Sequence, residues 1–136
     1  MCLNSFSKRI VNKLLSVYPK WEKFVDITDD GLLEVCVPAP KASNAGVMCI
    51  FTTVDDDLWI RFSHPYMCYS LDDEEEMIYI VNALITDQAL FIVIMNGDEW
   101  VSTTLIPSGT KPTIEKGQKV KVISWHGNLD ILDCLT

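Results

Sequence analysis

Apolar and polar positions repeat with two different periods along this chain, and each change of period marks an element. Residues 5–18 carry Phe6, Ile10, Leu14 and Val17 on one helical face, with Lys8, Arg9, Asn12 and Lys13 on the other. Ser5 or Ser7 is placed to cap this helix, and Pro19 ends it. Residues 21–27 and 32–37 then read as strands flanking Asp30-Gly31, a strong hairpin signal. Pro38 and Pro40 stop the second strand, and a polar loop fills 41–46. Residues 47–54 and 58–62 predict two further strands around the turn Asp55-Asp56-Asp57. Leu58, Ile60 and Phe62 alternate with Trp59, Arg61 and Ser63, so one face is buried and Trp59 points outward. Residues 64–69 are expected to be irregular, because Pro65 cannot donate to a sheet ladder.

A second helix is predicted over about 71–86. Ser70 stands three residues before Asp73 at a capping-box-like spacing, and Asp72, Asp73, Glu74, Glu75 and Glu76 put negative charge at the positive end of the helix dipole. Met77, Ile80, Val81, Leu84 and Ile85 form its apolar stripe. Strands at 89–95 and 99–106 flank Asn96-Gly97-Asp98, a second hairpin, and 119–125 closes the sheet. The pattern predicts one α+β domain spanning residues 1–136. It has the order α-ββββ-α-βββ, a mainly antiparallel sheet and helices covering one face.

Composition narrows the class. With 49% hydrophobic and 22% charged residues, the chain is not of the disordered type. Its longest apolar run, residues 89–95, is far short of the ~20 residues of a bilayer helix. Lys8, Arg9 and Lys13 interrupt any amino-terminal apolar region, so no secretory signal is expected. The five cysteines, Cys2, Cys36, Cys49, Cys68 and Cys134, include no C-x-x-C pair. Counting permits disulfides, but most of these cysteines lie in apolar segments, which predicts reduced thiols in a cytoplasmic protein. The net charge of −8 is unevenly spread. Residues 24–110 hold fifteen acids against Lys41 and Arg61, a net −13. Such a field disfavours nucleic acid and anionic membrane and attracts basic surfaces.

A search for chemistry ends without a catalytic set. The two histidines, His64 and His126, show no metal-ligand spacing, and no nucleophile elbow or phosphate-binding glycine loop occurs. Neither acidic run has the alternating ligands and central glycine of a calcium loop, so no metal and no cofactor are expected. The acids of the turn 55–57 and the helix start 72–76 read either as solubility and capping groups or as a patch that docks a basic partner. In the docking reading Trp59, Tyr66 and Trp100 are aromatic anchors and Asp98 and Glu99 extend the charge. Trp100 and Trp125 are equally compatible with core positions.

The stretch from 47 to about 130 resembles immunity proteins of bacterial polymorphic-toxin systems, including contact-dependent growth inhibition. The likeness is carried by His64-Pro65-Tyr66, the acidic-then-apolar helix 72–86, the segment ALFIVIMNGDEWVSTTLI (89–106) and VKVISWHGNLD (120–130). It implies a cytoplasmic, non-enzymatic protein that binds one cognate toxin domain, often a nuclease, and covers its active site or substrate approach. Nucleases need basic surfaces to hold phosphates, so an acidic cover suits that role. Two alternatives stand beside it: a small enzyme or ligand-binding domain using His64, His126 and a carboxylate, and an adaptor module of a larger assembly.

Overall fold

The computed structural model describes residues 2–40, 45–63, 67–110 and 113–126. Helix α1 (Ser5–Val17) leads through a 3₁₀ helix (Pro19–Phe24) into β1 (Val25–Ile27), β2 (Leu33–Pro38), β3 (Val47–Thr52), β4 (Leu58–Arg61) and β5 (Cys68–Leu71). Helix α2 (Glu74–Ile85) then precedes β6 (Ala89–Asn96), β7 (Glu99–Pro107) and β8 (Gln118–Ile123). The fold is α+β with antiparallel pairing throughout, in the expected order plus one extra strand, β5.

The strands form two sheets rather than one. The first is a five-stranded meander in sequence order, and the second has the order β7-β6-β8. On the inner face of the first sheet, Leu33, Val35, Ile50, Ile60 and Leu71 are buried against Ile10 and Leu14 of α1 and Met77, Val81 and Leu84 of α2. Phe91, Val93 and Ile123 join the same core from the second sheet, with Phe91 edge-on to Phe62 at 5.8 Å. The opposite side of β6 buries Leu90, Ile92 and Ile94 with Val122 as a separate cluster. Burial on both faces explains the unbroken apolar run of β6, since no alternation is needed there. Trp125 belongs to the core at 7% exposure.

Several local expectations are corrected. Asn4, not Ser5 or Ser7, caps α1 by accepting from the Ser7 N–H at 2.8 Å. Ser7 is buried instead and shares a hydrogen bond with Thr52 across to β3. Pro19 opens the 3₁₀ helix, where its fixed φ suits the first position, and Trp21 stacks on Tyr18 at 4.3 Å. Only residues 25–27 of the predicted 21–27 strand remain extended. Ser70 lies in β5, and Asp73 caps α2 by accepting from the Glu76 N–H at 2.8 Å.

The thiol expectation also fails. The β2–β3 register sets Cys36 opposite Cys49 with Cα atoms 4.2 Å apart, and the pair is joined as a disulfide. That separation is close to the narrow cross-strand spacing of an antiparallel ladder. Cys2 and Cys68 are free and exposed, while Cys134 lies outside the described residues. Among the described residues, no helix is long and apolar enough to cross a membrane.

Candidate functional site

A meander sends alternate connections to the same end of its sheet. Here the β1–β2 loop, the β3–β4 loop and the exit from β5 all leave one end, beyond the paired positions Ile27–Leu33, Thr52–Leu58 and Leu58–Leu71. Those three connections carry Asp29 and Asp30, then Asp55, Asp56 and Asp57, then Asp72 and Asp73, with Glu74, Glu75 and Glu76 opening α2. Ten acids therefore share one end of the molecule. The aspartates and Glu75 are exposed, and Glu74 and Glu76 are half-buried.

Two of the loops have the same internal frame. In each, a threonine backbone N–H donates to the carbonyl four residues on, Thr28 to Leu32 at 2.9 Å and Thr53 to Asp57 at 3.1 Å. The threonine carbonyl accepts from the third residue on, Gly31 or Asp56, at 3.0 and 3.1 Å. Its Oγ1 accepts from the fourth, Leu32 or Asp57, at 3.1 and 3.2 Å. Gly31 and Asp56 both adopt positive φ, +76° and +60°. This is a longer hairpin loop ending in a left-handed residue, and not the two-residue primed turn that Asp30-Gly31 suggests. Gly97-Asp98 does form a two-residue loop, with Gly97 at φ +63°.

Charge at this end is only sparsely compensated. Among the described residues, Glu74 alone of the ten acids forms an ion pair, with Arg9 of α1 at 3.4 Å. Partial burial, followed by the negative charge of Asp72, pushes the Glu76 carboxyl above its ordinary value. An incoming cation would relieve that repulsion.

The outer face of the first sheet adjoins the acidic end. One row across it reads Asp26, Glu34, Phe51, Trp59, Ser70, and the next reads Cys36, Cys49, Arg61, Cys68. Trp59 thus points outward as expected and is half-buried beside Phe51. The Arg61 guanidinium lies 5.1 Å from the Phe51 ring centre and reaches Glu34 at 3.5 Å. Burial pushes the Cys68 thiol up while Arg61 draws it down, so this is not a thiol activated as a nucleophile.

Other candidates fall elsewhere. Asp98, Glu99 and Trp100 belong to the second sheet, at the β6–β7 loop and the start of edge strand β7. A register shift at Ile94/Met95 re-aims Trp100, whose Nε1–H donates to Thr103 Oγ1 at 3.0 Å and which is 51% exposed. Tyr66 and His64 lie outside the described residues. His126 follows β8 and meets Asp87, a residue at φ +57° just past α2, through Nδ1 to Oδ2 at 2.9 Å. A shallow cavity of about 220 Å³ lies between Tyr79 and Ala83 of α2 and Leu105–Pro107 of β7.

Sequence reasoning missed Asp29, Asp30 and Phe51 as members of this surface. The signal was present: in any meander the first and third connections share an end, and Phe51 pairs with Trp59. No family model, curated protein or solved structure matches the chain.

Proposed function

We propose that the chain is a non-enzymatic immunity protein that neutralises one cognate toxin domain, a basic nuclease, in the cytoplasm. The observation that carries this reading is the gathering of ten acids from three connections at one end of a sheet, next to an outward Phe51–Trp59 pair. A nuclease surface evolved to hold phosphates offers lysine and arginine in the right density for such a patch. The acids speed encounter, and the aromatics supply contact area that resists dissociation. Covering the phosphate-binding surface excludes the nucleic acid without any chemistry by the immunity protein itself.

The test is co-expression with the toxin domain encoded next to this chain's own reading frame. Growth is restored and the two proteins co-purify in equal amounts if the reading holds. Failure of both contradicts it.

One observation favours a second reading, a small enzyme or ligand-binding domain. Asp87 holds His126 through Nδ1, and no partner of Nε2 is seen among the described residues, the arrangement of an oriented base. The neighbouring Ser108 hydroxyl, however, donates to the Asp87 carbonyl and not to His126. Under the immunity reading His126→Ala leaves protection intact, whereas a catalytic role predicts its loss.

A further inference from the structure

We infer that Glu34, Cys36 and Cys49 form a redox-gated Zn²⁺ site on the outer face of the first sheet. One ligand atom from each of the three lies within 4.8 Å of the others, the one such grouping among the described residues. The strand register holds them there: Cys36 opposes Cys49, and Glu34 precedes Cys36 by two positions and so shares its face. A tetrahedral Zn²⁺ with bonds of about 2.3 Å to sulfur and about 2.1 Å to oxygen needs S···O separations of about 3.6 Å and S···S of about 3.8 Å. Glu34 Oε1 already stands 3.3 Å from Cys36 Sγ. In the disulfide that sulfur has no proton to donate, so this contact is a placement and not a hydrogen bond.

Reduction opens the site. Two low-molecular-weight thiols break the Cys36–Cys49 bond, giving two protein thiols and one small-molecule disulfide. Zn²⁺ then replaces the two thiol protons, which leave to solvent. Two thiolates and a carboxylate leave a divalent ion with a net charge of −1, and Arg61 beside Glu34 supplies the compensating positive charge. Arg61 and Cys36 Sγ both approach Glu34 Oε1, at 3.5 and 3.3 Å, so an ion bound at that oxygen would require Arg61 to turn to the other, in the outer-shell role that orients ligating carboxylates. Three protein ligands leave the fourth position open to water or to a ligand from a docked partner. Cys36 is only half-buried, so reductant and metal both have access. Oxidised, the pair staples β2 to β3. Reduced, it binds metal.

The test uses the full chain reduced with a phosphine, desalted anaerobically and titrated with Zn²⁺ against a chromophoric chelator, and with Cd²⁺ for its thiolate charge-transfer band. One ion per chain is expected, together with protection of Cys36 and Cys49 from alkylation in the unmutated protein. The oxidised chain should bind none. Cys36→Ser and Cys49→Ser should each abolish stoichiometric binding, because each leaves only two protein ligands, and Glu34→Gln should weaken it. The triple variant Cys2→Ser/Cys68→Ser/Cys134→Ser should keep the site. Absence of a saturable site in the reduced chain overturns the inference, as does binding that survives both Cys36→Ser and Cys49→Ser or that is lost in the triple variant. The alkylation readout needs no substitution, so a misfolded variant does not blunt the test.

Discussion

The loops 28–32 and 53–57 share a hydrogen-bond frame and differ in the residue at its left-handed corner. In the first that residue is Gly31, buried beneath the chain's amino-terminal segment, where an added Cβ would come 2.9 Å from the Cys2 carbonyl oxygen. In the second it is Asp56, exposed, with a side chain in a conformation that favours glycine. The first loop is thus constrained by packing. The second accepts a backbone cost at a site where glycine would serve, and what it gains is a negative charge in the middle of an acidic end. Aspartate is among the few residues that tolerate this conformation, as Asp87 also shows at φ +57°, so the corner can carry a charge at small backbone cost.

That contrast can be broken in graded steps. Gly31→Val should have the largest effect, about 2 kcal/mol or more in denaturant unfolding, because left-handed strain adds to the contact with Cys2. Gly97→Val, with nothing within 4 Å of the new Cβ, should cost only the backbone part, about 1–2 kcal/mol. Equal losses in the two variants would remove the packing distinction. Thr28→Val and Thr53→Val each delete a side-chain acceptor, and a loss of about 0.5–1.5 kcal/mol in both would establish the common frame. Asp56→Gly should move the other way, gaining about 0.5–1 kcal/mol in thermal unfolding while weakening partner association. A destabilised Asp56→Gly would mean that the aspartate side chain has a structural task.

The smallest effect concerns pH. Glu76 has a folded-state pKa raised above its unfolded value, so its ionisation opposes folding. The contribution is fully favourable below the ordinary carboxylate pKa and is lost as pH rises through the raised value. Glu76→Gln should therefore raise the melting temperature at neutral pH, with the gain vanishing on acidification. A gain that persists at acidic pH would assign the effect to something other than charge.

Much of this architecture is legible in the residues. The period of α1, the hairpin at Asn96-Gly97, the acidic start of α2 and the outward Trp59 all follow from local chemistry. What escapes is non-local. β5 is four residues long and follows Pro65, and its Ser70 has a plausible alternative use as a cap. The division into two sheets depends on which strands pair, and no short-range signal sets that. Cys36 and Cys49 each sit in a recognisable strand, but only the β2–β3 register makes them partners. The Asp87–His126 contact likewise joins positions 39 residues apart. The acidic end lay between these limits: each loop was readable, and the meander that assembles them became visible with the pairing.

The central claim is that this end captures a basic toxin domain, and association kinetics test it most directly. The rate with the cognate domain should be measured at low and high salt for the parent, for Asp55/Asp56/Asp57→Asn and for Glu74/Glu75/Glu76→Gln. Electrostatic steering predicts that each neutralised variant associates about tenfold or more slowly at low salt, and that added salt slows the parent toward the variants. Unchanged rates in both variants, with a parent rate indifferent to salt, would contradict the account.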